Sequence, residues 1–272
     1  MASARLYIFT RARGFALATG MKPTERFSRR VDNYVRYRPG YPAEIISQLQ
    51  KDCGFTRNSI VADVGSGTGF LAKLFLANGN RVFGIEPNRE MREAGEQLLR
   101  AFPNFVSIAA TAEATTLSDA SVDFATAGQA FHWFDRSRCR DEFKRILKPA
   151  GWVVLAWNDR RTDTTPFLVE YEQLLQTYGT DYSKVDHKQV DAKAFADFFE
   201  AAPIRKSFPT FQTFDLHSLK GRLLSSSYVP EAGEPGYPEM LDSLEQLFKK
   251  HALNREVTFE YDTIVYCGQL EK

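Results

Sequence analysis

Residues 61–70 read VADVGSGTGF and place three glycines at every second position, directly after an apolar run that ends in an acid. The apolar run suits a buried strand. Glycine has no Cβ, so it accepts positive φ and lets another group approach the backbone closely. The stretch that follows, GFLAKLFLANG (69–79), puts Phe70, Leu71, Leu74 and Phe75 on one helical stripe. Strand, glycine turn and helix in that order open a βαβ unit, and the unpaired N–H groups at the helix start face whatever the turn cradles. The spacing is G-x-G-x-G with no lysine after it. It differs from the G-x-G-x-x-G of dinucleotide folds and the G-x-x-x-x-G-K-[ST] of phosphate loops, which argues against NAD and ATP.

Outward from this turn, short β-favouring runs recur at 59–65, 81–86, 105–111, 121–131 and 151–158. Helical patterns separate them, among them NREMREAGEQLL with Asn88 as a cap and RCRDEFKRILKPAG, expected to end at Pro149. A further helix, YPAEIISQLQKDCG, precedes the first strand and stops at Gly54. This alternation predicts parallel βαβ units, a doubly wound α/β domain with a mainly parallel sheet covered on both faces. Past Asn158 the pattern loosens. Helices are expected near 166–178, 191–200, 215–225 and 238–252, and two last strands, 204–214 and 256–270, are expected to form an antiparallel edge. The segments near 159–203 and 215–255 read as insertions, and LLSSSYVPEAGEPGYP (223–238) as a candidate lid over the ligand end of the sheet.

The bulk composition narrows the function further. With 272 residues and no internal repeat, the chain reads as one domain over 23–272. Its 35 basic and 34 acidic residues are interspersed, which argues against a nucleic-acid or membrane-surface partner and for a small-molecule substrate. Cys53, Cys139 and Cys267 are far apart and lack C-x-x-C spacing; they are expected to be buried or incidental thiols in a reducing, cytoplasmic setting, with no metal site. No apolar run reaches the ~18–20 residues needed to span a bilayer. Residues 1–22 carry Arg5, Arg11 and Arg13 and no acid; they read as an organelle-import leader or a loose terminus. A monomer or homodimer is expected.

Ligands of open α/β sheets bind at the carboxyl ends of the strands, beside the switch point, where Gly65, Ser66, Gly67, Thr68 and Gly69 stand. The next acid at a strand end is Glu86, suited to accept hydrogen bonds from both hydroxyls of a ribose. These residues, with FSRRVDNYVRYRPGYP, GIEPNREM, TAEATTLSDASVDFATAGQAFHWFD and LKPAGWVVLAWN, resemble the class I S-adenosylmethionine-dependent methyltransferases, in the group similar to trans-aconitate methyltransferase. The resemblance covers about 27–158. It implies a Rossmann-like fold with a seven-stranded sheet, S-adenosyl-L-methionine as cofactor and S-adenosyl-L-homocysteine as product. It further implies that the Gly65–Gly69 loop holds the methionine moiety and Glu86 the ribose. On the same grounds Pro87 and Met91 flank the adenine, Ala112 and Glu113 its edge, and Gln129 and Ala130, through to His132, the sulfonium. Asp63 would anchor the amino group or the loop, with Tyr34 and Arg38 closing from the N-terminal side.

Methyl transfer from a sulfonium is an in-line displacement on an activated carbon, so the protein supplies alignment and exclusion of water. A general base is needed only where the acceptor must lose a proton, and not where it is a carboxylate. His132 is the candidate base, set against a role as a packed pocket wall. Phe131, Trp133 and Phe134 divide between core and pocket wall. Of the basic cluster Arg26, Arg29, Arg30, Arg36 and Arg38, a solvated face is the plain reading, and Arg38 is the member placed inside a motif. The expected activity is methyl transfer to a small acceptor, a carboxylate among the acceptors considered. The alternatives are transfer to carbon or oxygen of a larger apolar ring, and a cofactor-binding protein without turnover.

Overall fold

The computed structural model describes residues 30–180, 182, 192–199 and 201–270; the expected leader and Arg26 and Arg29 lie outside the described residues. The strands are β1 (Ile60–Val64), β2 (Arg81–Ile85), β3 (Phe105–Ile108), β4 (Val122–Gly128), β5 (Leu147–Arg160), β6 (Ile204–Phe214) and β7 (Val257–Gly268). They form one seven-stranded sheet in the order β3-β2-β1-β4-β5-β7-β6. The first five pair in parallel, and β7 runs antiparallel to both β5 and β6. This is the expected mainly parallel sheet with an antiparallel edge. Val61, Ala62 and Val64 are fully buried because both faces of a parallel sheet are covered, which is why these strands read as continuous apolar runs.

The helices are α1 (Val31–Tyr37), α2 (Glu44–Cys53), α3 (Phe70–Ala77), α4 (Arg89–Leu99), α5 (Arg136–Ile146), α6 (Pro166–Tyr178), α7 (Ala192–Phe199), α8 (Leu216–Leu224) and α9 (Tyr237–His251). α2 stops where Gly54 turns left-handed at φ 65°. Asn88 caps α4, its side chain accepting from Met91 N at 2.8 Å. Two expectations need correction. α5 ends at Ile146, not at Pro149, because Leu147 already pairs with Val122 in the sheet. α1 was not foreseen, and its sequence explains why: it buries no residue and its N-terminus has no side-chain cap.

Three hydrophobic clusters hold these layers. One gathers Val64, Phe131, Phe143 and Leu155, and a second gathers Leu49, Leu71, Phe75 and Val154. The third joins α6, α8 and α9 to β7 through Leu168, Tyr171, Leu219, Leu244 and Phe259. Each buried leucine there stabilises by about 1.5–3 kcal/mol relative to exposure, so α6, α8 and α9 share one core with β7, whereas α7 packs into the first cluster through Phe195, Phe198 and Phe199. The stretch 223–238 is partly inside it: Ser225, Ser226 and Val229 are buried. All three cysteines are free and buried, Cys139 among them on the inward face of α5. Among the described residues no helix is long and apolar enough to cross a membrane.

Candidate cofactor and acceptor site

The chain reverses its direction across the sheet between β1 and β4, and a cavity of about 450 Å³ opens at the carboxyl ends of the strands there. The glycine turn forms one wall. Gly65, Gly67 and Gly69 all have positive φ, at 65°, 54° and 84°. At Gly65 a side chain is excluded twice over, since a Cβ would also stand 2.7 Å from that of Ala130. Gly69 is the left-handed residue that opens α3, and its N–H donates back to Ser66 O at 2.8 Å.

Two acids face this turn and differ in their bonding. Glu86 accepts from Gly67 N at 2.9 Å and from Asn88 N at 2.8 Å, so its carboxylate braces the turn against the start of α4. Burial raises its pKa above the usual range, opposed by those two N–H donors. Each oxygen keeps a lone pair for a ligand hydroxyl. Asp63 is 1% exposed at the end of β1. Its Oδ1 accepts from Thr126 Oγ1 at 3.0 Å, while Oδ2 is buried without a partner. Burial, only partly offset by Thr126 and by the backbone N–H of Ala72, pushes its carboxyl up to about 7.

Across the turn, Gln129 ends β4 in the left-handed region at φ 55°, a conformation costing a non-glycine residue about 1–3 kcal/mol and often met at functional sites. Its N–H donates to Ala156 O at 2.9 Å, and its side-chain Oε1 is buried without a partner. Thr68 Oγ1 is likewise buried and unpartnered. Three orphaned oxygens around one glycine turn need donors from outside the chain, since a buried polar atom without a partner is costly. The neighbouring wall of Pro87, Met91 and Ala112 is mostly apolar and suits a flat ring. The cradle therefore fits a ligand that combines a cationic or hydrogen-bonding head, a polyol and a flat ring.

Over β5 and β7 the same cavity has a different lining: Arg38, Asn158, Asp159, Arg160, Glu172, Tyr182, Arg222, Tyr228 and Tyr261. Arg160 donates to Glu172 Oε2 at 2.5 Å, and Tyr182 Oη donates to the same oxygen at 2.8 Å. Arg222 is only 5% exposed; its Nε faces Tyr261 Oη at 3.4 Å and its Nη1 faces Ser226 Oγ at 3.3 Å. Arg38 donates through Nε to Ser225 Oγ at 3.0 Å and through Nη2 to Ser225 O at 3.1 Å. Burial, reinforced by Arg222, lowers the pKa of Arg38. At Tyr228, burial raises the phenol, but Arg38 and Arg222 outweigh it and hold the group below its usual value. The chamber is positively charged.

Of the residues expected at the cofactor, Tyr34, Arg38, Asp63, Gly65, Ser66, Gly67, Glu86, Pro87, Met91, Ala112, Glu113, Gln129 and Ala130 line this cavity, whereas Gly69, Phe131 and His132 do not. Arg38 stands among the chamber residues, 5.2 Å over the Tyr34 ring. Trp133 and Phe134 line the cavity, Phe131 is fully buried in the core, and His132 is not among the lining residues. Arg160, Glu172, Tyr182, Arg222, Tyr228 and Tyr261 were missed. One signal was present for Arg222: it shares the apolar face of α8 with Leu219 and Leu223, where an arginine is out of place unless something pairs with it.

Comparison with known proteins agrees with this geometry. The profile of the methyltransferase domain family matches residues 62–155. An uncharacterised methyltransferase-like protein of Schizosaccharomyces pombe is 27% identical, covering 90% of this chain and 95% of its own. An uncharacterised methyltransferase of Mycobacterium bovis is 37% identical over 134 residues, 49% of this chain and 52% of that one. Among solved structures, a protein of Anaeromyxobacter dehalogenans named as a type II methyltransferase superposes with a TM-score of 0.66 at 20% identity, over 87% of this chain and 100% of its own, a likeness of fold. Residues 62–155 thus carry a methyltransferase domain, and the strand order, the glycine turn and the acid on the neighbouring strand are those that the resemblance to the class I S-adenosylmethionine-dependent methyltransferases implies.

Proposed function

We propose that the enzyme methylates a small carboxylic acid enclosed in the arginine-lined chamber, with S-adenosylmethionine lying along the glycine turn. In this reading Asp63 Oδ2 and Gln129 Oε1 receive the ammonium end of the cofactor, Glu86 its ribose hydroxyls, and Pro87, Met91, Ala112 and Glu113 its adenine. When bound, the cofactor supplies a methyl group on a sulfonium, already activated for displacement. The chain's own contribution is alignment: Tyr34, Gln129 and Trp133, which line the cavity, would hold the acceptor in line with that carbon while excluding water. No residue takes a proton, since a carboxylate arrives ionised.

The observation that carries the acceptor class is the charge of the chamber. Arg222 is buried and Arg38 half-buried, and both are bonded to hydroxyl and carbonyl oxygens, with no carboxylate on either among the described residues. Guanidinium groups removed from water without a counter-ion favour an anionic ligand. The test is transfer of labelled methyl from the cofactor to a panel of small acids, followed by mild alkali. Label released as methanol marks an ester. Label on nitrogen or carbon, which alkali leaves in place, would overturn the carboxylate reading.

A further inference from the structure

Residues 38–42 read RPGYP and form a strap between α1 and α2. α1 must end there, because a residue before proline is pushed out of the helical region, and Arg38 stands extended at φ −78° and ψ 146°. The strap crosses the carboxyl ends of β4 and β5. Tyr41 rests on Gly128, the last residue of β4, where a Cβ would collide with the Tyr41 hydroxyl. Tyr34, Arg38, Pro39 and Tyr41 all line the cavity, so strap and helix together roof it. α1 buries none of its residues, and apolar burial alone does not hold that roof. On one side it is fastened through Tyr37 against Gly221 of α8 and through Arg38 to Ser225.

Asn158 supplies the fastening on the other side. It stands on β5 opposite Thr263 of β7 and is 6% exposed. Its Nδ2 donates to Gly40 O at 3.0 Å and faces Pro39 O at 3.4 Å. Thr263 sets the amide this way round, since its buried hydroxyl donates to Asn158 Oδ1 at 2.6 Å. A hydroxyl donor on one side and two carbonyls on the other call for a group that accepts at one end and donates at the other, which an amide does and a carboxylate does not. The main chain serves the same cavity: Asn158 O faces Gln129 Nε2 at 3.4 Å, which leaves Oε1 as the unpartnered end of Gln129.

We infer that Asn158 is a positioning residue for methyl transfer: its side-chain amide holds the strap across β4 and β5, and so keeps Tyr34 and Tyr41 over the cofactor. This rests on the reading of the glycine turn as the seat of S-adenosylmethionine. Asn158 acts through the strap and not on the methyl group. A ligand enclosed beneath the strap leaves only when the strap lifts, so the bond from Asn158 to Gly40 governs the rate of release more than the rate of arrival. A residue that only joined β5 to β7 would change the melting temperature and leave release alone.

The test uses the full chain and S-adenosylhomocysteine as the probe, with its arrival and release followed by surface plasmon resonance. Asn158→Leu matches the shape of the side chain without its donor, and is expected to speed release about fivefold or more while arrival stays within about threefold of the parent. Asn158→Asp, closer still in shape, is expected to do the same and carries the test if the leucine variant does not fold. Deuterium uptake of residues 34–41 is expected to rise in both variants, with and without the probe. Leu168→Ala, in the third hydrophobic cluster and away from the strap, is the control: its melting temperature is expected to fall with release unchanged. The inference is overturned if every folded Asn158 variant stays below the fivefold acceleration, if uptake in 34–41 matches the parent, or if Leu168→Ala speeds release as much. Failure of S-adenosylhomocysteine to bind the parent would instead overturn the cofactor reading, and uptake in the ligand-free chain would still decide whether Asn158 holds the strap.

Discussion

The two halves of the cavity are assembled in opposite ways. Around the glycine turn, Asp63, Gly65, Gly67, Gly69 and Glu86 come from two adjacent parallel strands and the turn between them, and their positions follow from backbone conformation. Over β5 and β7, Arg38, Arg160, Glu172, Arg222, Tyr228 and Tyr261 come from separate segments that meet only because α6, α8 and α9 pack onto one core. The first half is rigid by local geometry. The second depends on side chains delivered over long range, and among the described residues its Arg38 and Arg222 have no carboxylate bonded to them. Cofactor recognition can therefore be common to many proteins while the acceptor half varies.

The sharpest way to break this contrast is at the turn itself. Gly65→Val adds a β-branched side chain at φ 65° where even a Cβ would meet Ala130 at 2.7 Å. It is expected to weaken S-adenosylhomocysteine binding by about a hundredfold or more, read by calorimetry, with the acceptor chamber left intact. In the other half, Glu172→Gln leaves Arg160 without its carboxylate. The pair is partly buried, so breaking it on one side costs about 1–3 kcal/mol, and chemical denaturation is expected to show it as a lower midpoint with the same slope.

Asp63 gives the contrast a pH signature. Its folded carboxyl holds a proton up to about 7, whereas the unfolded one releases it near 3.8. Between these values the unfolded state binds fewer protons, so the stability of the ligand-free chain falls as pH rises from about 4 to 7, by at most about 4 kcal/mol. Asp63→Asn is expected to flatten that slope. Cofactor binding, which favours the ionised form, is expected to release a proton near pH 6 and to weaken as pH falls below about 7. Calorimetry in buffers of different ionisation enthalpy reads the proton directly. A smaller effect is expected for Asn88→Ala, which removes the cap of α4 beside Glu86 and costs about 1 kcal/mol in thermal stability. Smallest of all is His132→Ala. Because His132 is outside the cavity lining, its turnover is expected to stay within about twofold of the parent, and a larger loss would give it a role.

The legibility of the chain follows the same division. Apolar runs separated by helical stripes foretold all seven strands and the antiparallel edge, because burial on both faces leaves continuous apolar runs in inner strands such as β1, and burial on one face leaves alternation in β7. α1 left no such mark, since it buries none of its residues, and the end of α5 was displaced by a pairing between Leu147 and Val122 that no local signal announces. The orphaned oxygens of Asp63, Thr68 and Gln129 could be placed at the turn from sequence, but their lack of partners could not.

What the amino-acid order determined alone was the glycine turn, the acids beside it and the class of cofactor they suit, because φ preferences and strand-end positions are properties of neighbouring residues. The charge and shape of the acceptor chamber were decided only by tertiary structure. Arg38 and Arg222 are 184 positions apart, and nothing short of folding brings two such guanidinium groups onto the same few serines, with no carboxylate bonded to either among the described residues.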